Sequence, residues 1–254
     1  MTDLDRTVAL MCKLRRTWAR REVPILHGTA YLDSRLPKLW DSNFLAVEDE
    51  AAEAESVNAE AERIRAQEGT LHHKLWIDDE ALGARLEPGL RARGWEPNPL
   101  LVLILRRDPE RPPLPHRVEE LGLSQAEEVR RGTAADNDWV TKEDDIRQVL
   151  QAKRIKAAAG ARFFAAFADD VPASVCDLYS GDGVGQIEDV VTLPSFRGRG
   201  LAGALVLRTA AAAREAGAEL VFLLAAEDDE VPVRLYRRLG FDKIGRVWEF
   251  NRPV

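Results

Sequence analysis

Four prolines, Pro109, Pro112, Pro113 and Pro115, stand among charged residues in the segment RRDPERPPLPH at 106–116. No helix or internal strand runs through such a stretch, because each proline fixes φ and removes an amide donor. The segment therefore reads as an extended connector, and a chain of 254 residues divides there into two parts, each able to bury a core of its own. The expected division is 1–110 and 116–254.

On both sides of the connector the hydrophobic pattern alternates between the two regular periods. Asn43 to Val47 reads as a strand and Asp49 to Gln67 as an alanine-rich helix ended by Gly69. His73 to Ile77 follows as a strand, then Glu80 to Arg93 as a helical pattern broken by Pro88 and Gly89 and stopped at Gly94, then Leu100 to Leu105 as an apolar strand. Past the connector a helix is expected within Val118 to Arg131, one or two more across Asn137 to Ala158, and a strand over Ala161 to Ala168. Ala173 to Tyr179 and Gly185 to Leu193 form an antiparallel pair, since Ser180, Gly181, Asp182 and Gly183 tolerate a tight reversal. Gly200 to Ala216 is a helix closed by Gly217, Leu220 to Ala225 a buried strand, Val231 to Leu239 a helix closed by Gly240, and Ile244 to Phe250 a last strand.

The order strand, helix, strand, helix, strand thus occurs twice. LRARGWEPNPLLVLILRR resembles YRRLGFDKIGRVWEFNRP, with Gly94-Trp95 answering Gly240-Phe241, which leaves internal duplication and a chance match both open. The fold class expected is α/β in each part.

Composition removes several classes. With 45% apolar and 31% charged residues the chain is too apolar for disorder. It holds no apolar run of membrane-spanning length and no signal-peptide core near Asp3, Asp5 and Arg6, so a cytoplasmic protein without a membrane partner is expected. A net charge of -7 offers no footprint for nucleic acid. Cys12 and Cys176 are too few and too far apart for a disulfide framework or a zinc site, and His72 and His73, adjacent on a strand, point opposite ways, so no metal is expected. The acidic Glu48 to Glu62 stretch reads as the solvated face of a helix.

One segment carries chemistry. Val190 to Leu193 leads through Pro194-Ser195-Phe196 into RGRGLA and straight into a helix. Glycines let backbone N–H groups approach a ligand, and the first helical turn presents unpaired donors at the positive end of its dipole, so the segment suits a pyrophosphate. Arg197 and Arg199 add charge at the same mouth. A plain structural turn is the alternative, and GDGVGQ, at 181–186, is only a turn.

Arg197, Gly200 and Ala202 fit the signature of the GNAT acetyltransferases: Gln or Arg, two residues, Gly, one residue, then Gly or Ala. VVTLPSFRGRGLAGALV precedes a helix, and LYRRLGF, Leu235 to Phe241, is similar to the tyrosine-containing helix end of that family. The resemblance covers 116–254. The first part matches only in element order and in the Gly94-Trp95 turn, and has EDEAAEAE where the second has PSFRGRG, so it resembles a degenerate copy without the cofactor loop.

The resemblance implies two GNAT-like domains, each a central mixed, largely antiparallel sheet flanked by helices, and acetyl-CoA as cosubstrate. Val191, Thr192 and Leu193 would lie along the pantetheine. Arg197, Gly198, Arg199, Gly200, Leu201, Ala202 and Gly203 would surround the pyrophosphate. An amine would attack the thioester directly, with no metal. Tyr236 is the expected acid and a cofactor contact, with core packing of its ring as the alternative. Glu188 is the expected base, or simply solvated, with Asp189 facing the other way. Asp229 stands where many members carry asparagine, which puts that contact to the cofactor in doubt and leaves Asp229 as a helix cap. The Glu227 to Glu230 acidic run suits a cationic acceptor.

The acceptor stays open between a small amine and a peptide amine, with specificity expected from Asn137 to Lys156, and the assembly between monomer and homodimer. Two other readings are a non-catalytic acyl-CoA sensor or scaffold and a structural protein without cofactor.

Overall fold

The computed structural model of the protein describes residues 1–134 and 142–253. The chain forms two compact units that exchange segments. A C-terminal unit takes Met1–Leu10, Val102–Ala225 and Asp229–Ile244, and an N-terminal unit takes Met11–Leu101, Ala226–Asp228 and the residues from Gly245 on. The start of the chain thus belongs with the second half, and the residues from Gly245 on with the first.

In the N-terminal unit, β1 (Arg21–Ile25), β2 (Gly28–Leu32), β3 (Phe44–Val47), β4 (His72–Ile77) and the end of β11 (Phe241–Pro253) lie side by side in that order. All neighbours are antiparallel except β3 and β4, and β11 joins from Trp248↔Ile77 to Pro253↔His72. Helices α2 (Ala54–Glu68) and α3 (Glu80–Arg91) bury Val57, Ile64, Leu86 and Leu90 against Leu75, Trp95 and Phe250. Pro88 does not break α3. It removes only the bond to the Ala84 carbonyl, and burial of Leu86 and Leu90 on either side outweighs that loss. Gly83 is required by packing, since a Cβ there would come within 2.1 Å of the Trp248 ring.

Two elements stand where the sequence raised no expectation, α1 (Asp3–Trp18) and the β1–β2 hairpin. Helix α1 starts at a reciprocal cap, Thr2 N donating to Asp5 Oδ2 at 2.7 Å and Asp5 N to Thr2 Oγ1 at 3.1 Å.

In the C-terminal unit, β6 (Arg117–Leu121), β7 (Arg162–Ala168), β8 (Val171–Gly181) and β9 (Val184–Thr192) form an antiparallel run, and β10 (Leu220–Ala226) lies parallel to β9. The parallel pair is joined by α6 (Leu201–Glu215). Helix α6 covers one sheet face, where Cys176 Sγ meets Thr209 Oγ1 at 3.2 Å. Helices α4 (Leu123–Ala134) and α5 (Glu143–Ala158) pack together over the other. The helix expected within Val118 to Arg131 is α4, which starts only after Gly122, and before it Val118 and Leu121 pair with Ala166 and Phe163 of β7. Asn137 and Trp139 lie outside the described residues.

The proline-rich segment links β5 (Glu96–Leu105) to β6 and is tied down rather than loose. Arg106 N and Arg107 N donate to Gly240 O at 3.0 and 3.2 Å, beside the end of α7 (Glu230–Arg238), and Glu110 N to Arg238 O at 2.9 Å. A Cβ on Gly240 would sit 2.1 Å from the Arg107 carbonyl oxygen, so glycine is needed there. Its counterpart Gly94 is left-handed too, with φ of 82° against 97°, and Trp95 and Phe241 are both buried. No helix among the described residues is long and apolar enough to cross a membrane.

Candidate active site

Strand β9 pairs with β10 only from Val184↔Leu220 to Ile187↔Leu223, yet it runs on to Thr192. Its other neighbour shows why the pairing stops. Asp177↔Glu188 is followed by Val175↔Val191, so Asp189 and Val190 oppose the single residue Cys176. This is a β-bulge, and Asp189 holds it in a left-handed conformation with φ of 56°. Beyond Ile187 the strand leaves β10, and one edge of Val191 and Thr192 remains without a strand partner.

The chain then passes through the single turn Pro194–Phe196 into the glycine-rich segment. Gly198 and Gly200 have φ of 76° and 81°, conformations that favour glycine. The first intrahelical bond of α6 runs from Ala204 N to Gly200 O, so the amides of Leu201, Ala202 and Gly203 have no partner within the helix. No side chain caps that end. Arg197 and Arg199 are exposed; Arg197 Nε donates to Thr192 O at 3.1 Å and Arg199 Nη2 to Ser195 O at 3.3 Å. Two residues of the connector, missed in the sequence, touch the same end: His116 Nε2 is bonded to Arg199 O at 2.8 Å, and Leu114 lies against Gly200.

Tyr236 of α7 is buried, and its ring lies 6.1 Å from that of Phe241. Burial, with Cys176 and Asp229 nearby, pushes its hydroxyl well above the ordinary tyrosine range. Such a phenol keeps its proton at neutral pH and is suited to give one rather than to take one. Burial also pushes the neighbouring Cys176 thiol up to about 12, which leaves it unreactive. Asp229 is exposed and caps α7 by accepting from Val231 N at 3.3 Å.

Glu188 and Asp189 do not simply alternate. Glu188 shares a sheet face with its pair Asp177 and with Tyr179, the face covered by α4 and α5, and it is half-buried and accepts from Gln186 Nε2 at 3.2 Å. The bulge turns Asp189 to that face as well, where Lys153 Nζ meets its Oδ2 at 2.5 Å. Burial would push the Asp189 carboxyl up, but Lys153 and Arg130 overcome it and hold it far below the usual range, so it takes no proton near neutrality. Asp177, Arg130 and Lys153 gave one sign in the sequence, a charge inside the apolar strand ASVCDLY.

The histidine pair in β4 divides between two sheet faces: His72 stacks on Trp40 with ring centroids 4.7 Å apart, and His73 meets Trp95 edge-on at 5.7 Å.

Residues 126–241 match the sequence model of the acetyltransferase (GNAT) family. The fold is similar to that of a GCN5-related N-acetyltransferase from Kribbella flavida, at a TM-score of 0.65 and 20% identity over 100% of this chain and 97% of that one. A functionally unknown conserved protein from Staphylococcus epidermidis ATCC 12228 is similar at 0.67 and 15% identity, covering 91% of this chain and 92% of its own. A tandem GNAT protein from the clavulanic acid biosynthesis pathway is similar at 0.54 and 15% identity, over 78% of this chain and 69% of that protein. At these identities the likeness is one of fold. No curated protein sequence matches the chain.

Proposed function

We propose, from the premise that this chain carries an acetyltransferase domain of the GNAT family at 126–241, that it transfers an acetyl group from acetyl-CoA to the nitrogen of an amine. The observation that carries this reading is the course of β9. The strand bends off β10 after Ile187 and runs directly into a helix N-terminus with free amides. An extended pantetheine arm can take the vacated strand position, with backbone bonds to Val191 to Leu193, while the amides of Arg199 to Gly203 meet the pyrophosphate.

The amine nitrogen attacks the thioester carbonyl carbon, the C–N bond forms, and the C–S bond breaks as the thiolate departs. Tyr236 supplies the proton to that thiolate, which fits a phenol kept neutral by burial. Glu188, on the α4–α5 face, takes the proton that the amine must lose, directly or through water. Asp189 is excluded from that task by its ion pair with Lys153. The exposed run Glu227 to Glu230 favours a cationic acceptor, a small amine or a peptide amine.

Calorimetric titration with acetyl-CoA and with coenzyme A tests the reading before any acceptor is known. Micromolar binding that disappears in Gly200→Glu supports it and justifies a screen of amines. Absence of binding to either compound overturns it.

A further inference from the structure

A carboxylate inside a strand needs a counter-charge, and Asp177 of β8 is 1% exposed. Two cations provide it, one from each helix over that face. Arg130 Nη2 of α4 lies 3.3 Å from Asp177 Oδ1, and Lys153 Nζ of α5 is bonded to Oδ2, which also accepts the Tyr179 hydroxyl at 2.7 Å. Both cations are buried. Neutralising Asp177 asks for no second anion, yet both reach a second residue, and it is the one that bends β9. Lys153 Nζ lies 2.5 Å from Asp189 Oδ2, and Arg130 Nη2 donates to the Asp189 carbonyl oxygen at 2.7 Å.

Asp189 is thus held by its side chain and by its own backbone. It needs holding, because a residue with a Cβ occupies the left-handed region only where its surroundings fix it, whereas glycine goes there unaided. The bulge at Asp189 places two residues of β9 opposite Cys176, and it begins two residues after the last pair with β10.

We propose that Lys153 and Arg130 are positioning residues that act through Asp189, locking the left-handed bulge that opens β9 from β10 and so shaping the gap for the acyl-pantetheine arm. This inference rests on the acetyl-CoA reading above. The two cations touch no reacting atom; they set where the β9 backbone donors and acceptors stand.

The test compares two probes on the full chain by calorimetry. Acetyl-CoA spans both the gap and the helix-end amides, whereas 3′-phospho-ADP, the nucleotide half of coenzyme A, reaches only the latter. Lys153→Met is expected to weaken acetyl-CoA binding at least tenfold and to leave 3′-phospho-ADP affinity within twofold. Lys153→Arg, which restores the charge, recovers most of the loss. The double variant Lys153→Met with Asp189→Gly also recovers it, because glycine keeps the left-handed turn without the ion pair.

A parallel fall for both probes, or no rescue by Asp189→Gly, overturns the proposal. If Lys153→Met does not fold, Asp189→Ala and Asp189→Gly decide, since both leave Lys153 on Asp177. Selective loss of acetyl-CoA affinity in the alanine variant alone supports the lock, and equal affinities overturn it. A wild-type chain that binds neither probe overturns the acetyl-CoA reading and this inference with it, an outcome distinct from a wild type that binds and variants that do not differ.

Discussion

Each unit ends a strand in a turn that leads into a helix, β3 into α2 and β9 into α6, and the two turns differ in charge and in how far the strand before them runs. In the N-terminal unit the turn binds donors of its own before the helix begins, although α2, like α6, starts without a side-chain cap. Glu48 N and Asp49 N donate to His27 O at 2.8 and 3.2 Å, and Asp49 accepts from Ala51 N at 2.9 Å and is bonded to His27 Nδ1 at 2.9 Å. Glu48, Asp49, Glu50 and Glu53 would repel an anion. Strand β3 stops at Val47, next to its last pair Ala46↔Trp76, and the end of β4 is occupied by Asp78, gripped by Arg15 at 2.7 and 2.9 Å.

In the C-terminal unit the turn leaves the amides of Leu201 to Gly203 without helical partners, and β9 continues past its last pair with β10. The difference teaches that strand, turn and helix in order do not make an anion site. What sets the C-terminal turn apart is glycine and arginine where the N-terminal one has carboxylates, and a strand that runs on past its neighbour.

That contrast breaks most readily at Gly200. Gly200→Glu gives the C-terminal turn the acidity of the N-terminal one, and acetyl-CoA affinity measured by calorimetry should fall by at least about a hundredfold, roughly 2.7 kcal/mol; retained affinity would mean the cradle lies elsewhere. Tyr236→Phe should lower the rate of amine acetylation by about ten- to a hundredfold with unchanged acetyl-CoA affinity, since a lost general acid affects the chemical step. Unchanged turnover would remove Tyr236 from the mechanism.

Gly83→Ala forces a methyl into the Trp248 ring in the N-terminal unit, and urea unfolding should show a loss of about 2 kcal/mol. The folded variant should keep its acetyl-CoA affinity, and a matching loss there would show that the N-terminal unit takes part in binding.

The smallest effect is expected from pH. Burial and the neighbouring Arg252 hold His73 at about 4, below its ordinary 6.5. The unfolded chain then binds the proton first, so the stability that neutral His73 contributes is fully present above pH 6.5 and is lost as pH falls toward 4. Lowering the pH from 6.5 to 5.5 alone should cost about 1 kcal/mol. Thermal melts across that range should show a steeper slope for the wild type than for His73→Gln, and equal slopes would remove His73 as the cause.

Much of the site was legible because it is written in contiguous residues. The proposed Arg197 to Gly203 cradle and the tyrosine of α7 lie in single stretches, so their spacing is read directly from the sequence. The bulge at Asp189 was not legible, since a left-handed aspartate is chosen by partners on other elements, Lys153 and Arg130, which in sequence look like the solvated face of two helices. Glu188 could be placed on either sheet face until β8 supplied its partner. Helix α1 carried its own signal in Thr2 and Asp5, and was missed for want of weight given to that cap. The strand at Arg117 to Leu121 could not be told from a helix, because its few apolar residues fit both periods and pairing with β7 decided between them.

The exchange of segments between the units bears on how the protein is made. Lys74 of β4 and Glu249 of β11 are joined by a bond of 2.5 Å across a sequence separation of 175 residues. The N-terminal unit therefore emerges from the ribosome with the edge of β4 bare, and that edge waits until Trp248 to Pro253 have been synthesised. Such a late, long-range closure slows folding and exposes an unpaired strand meanwhile, so neither half expressed alone should reach its native state, and the nascent chain offers a chaperone its binding edge early and for long.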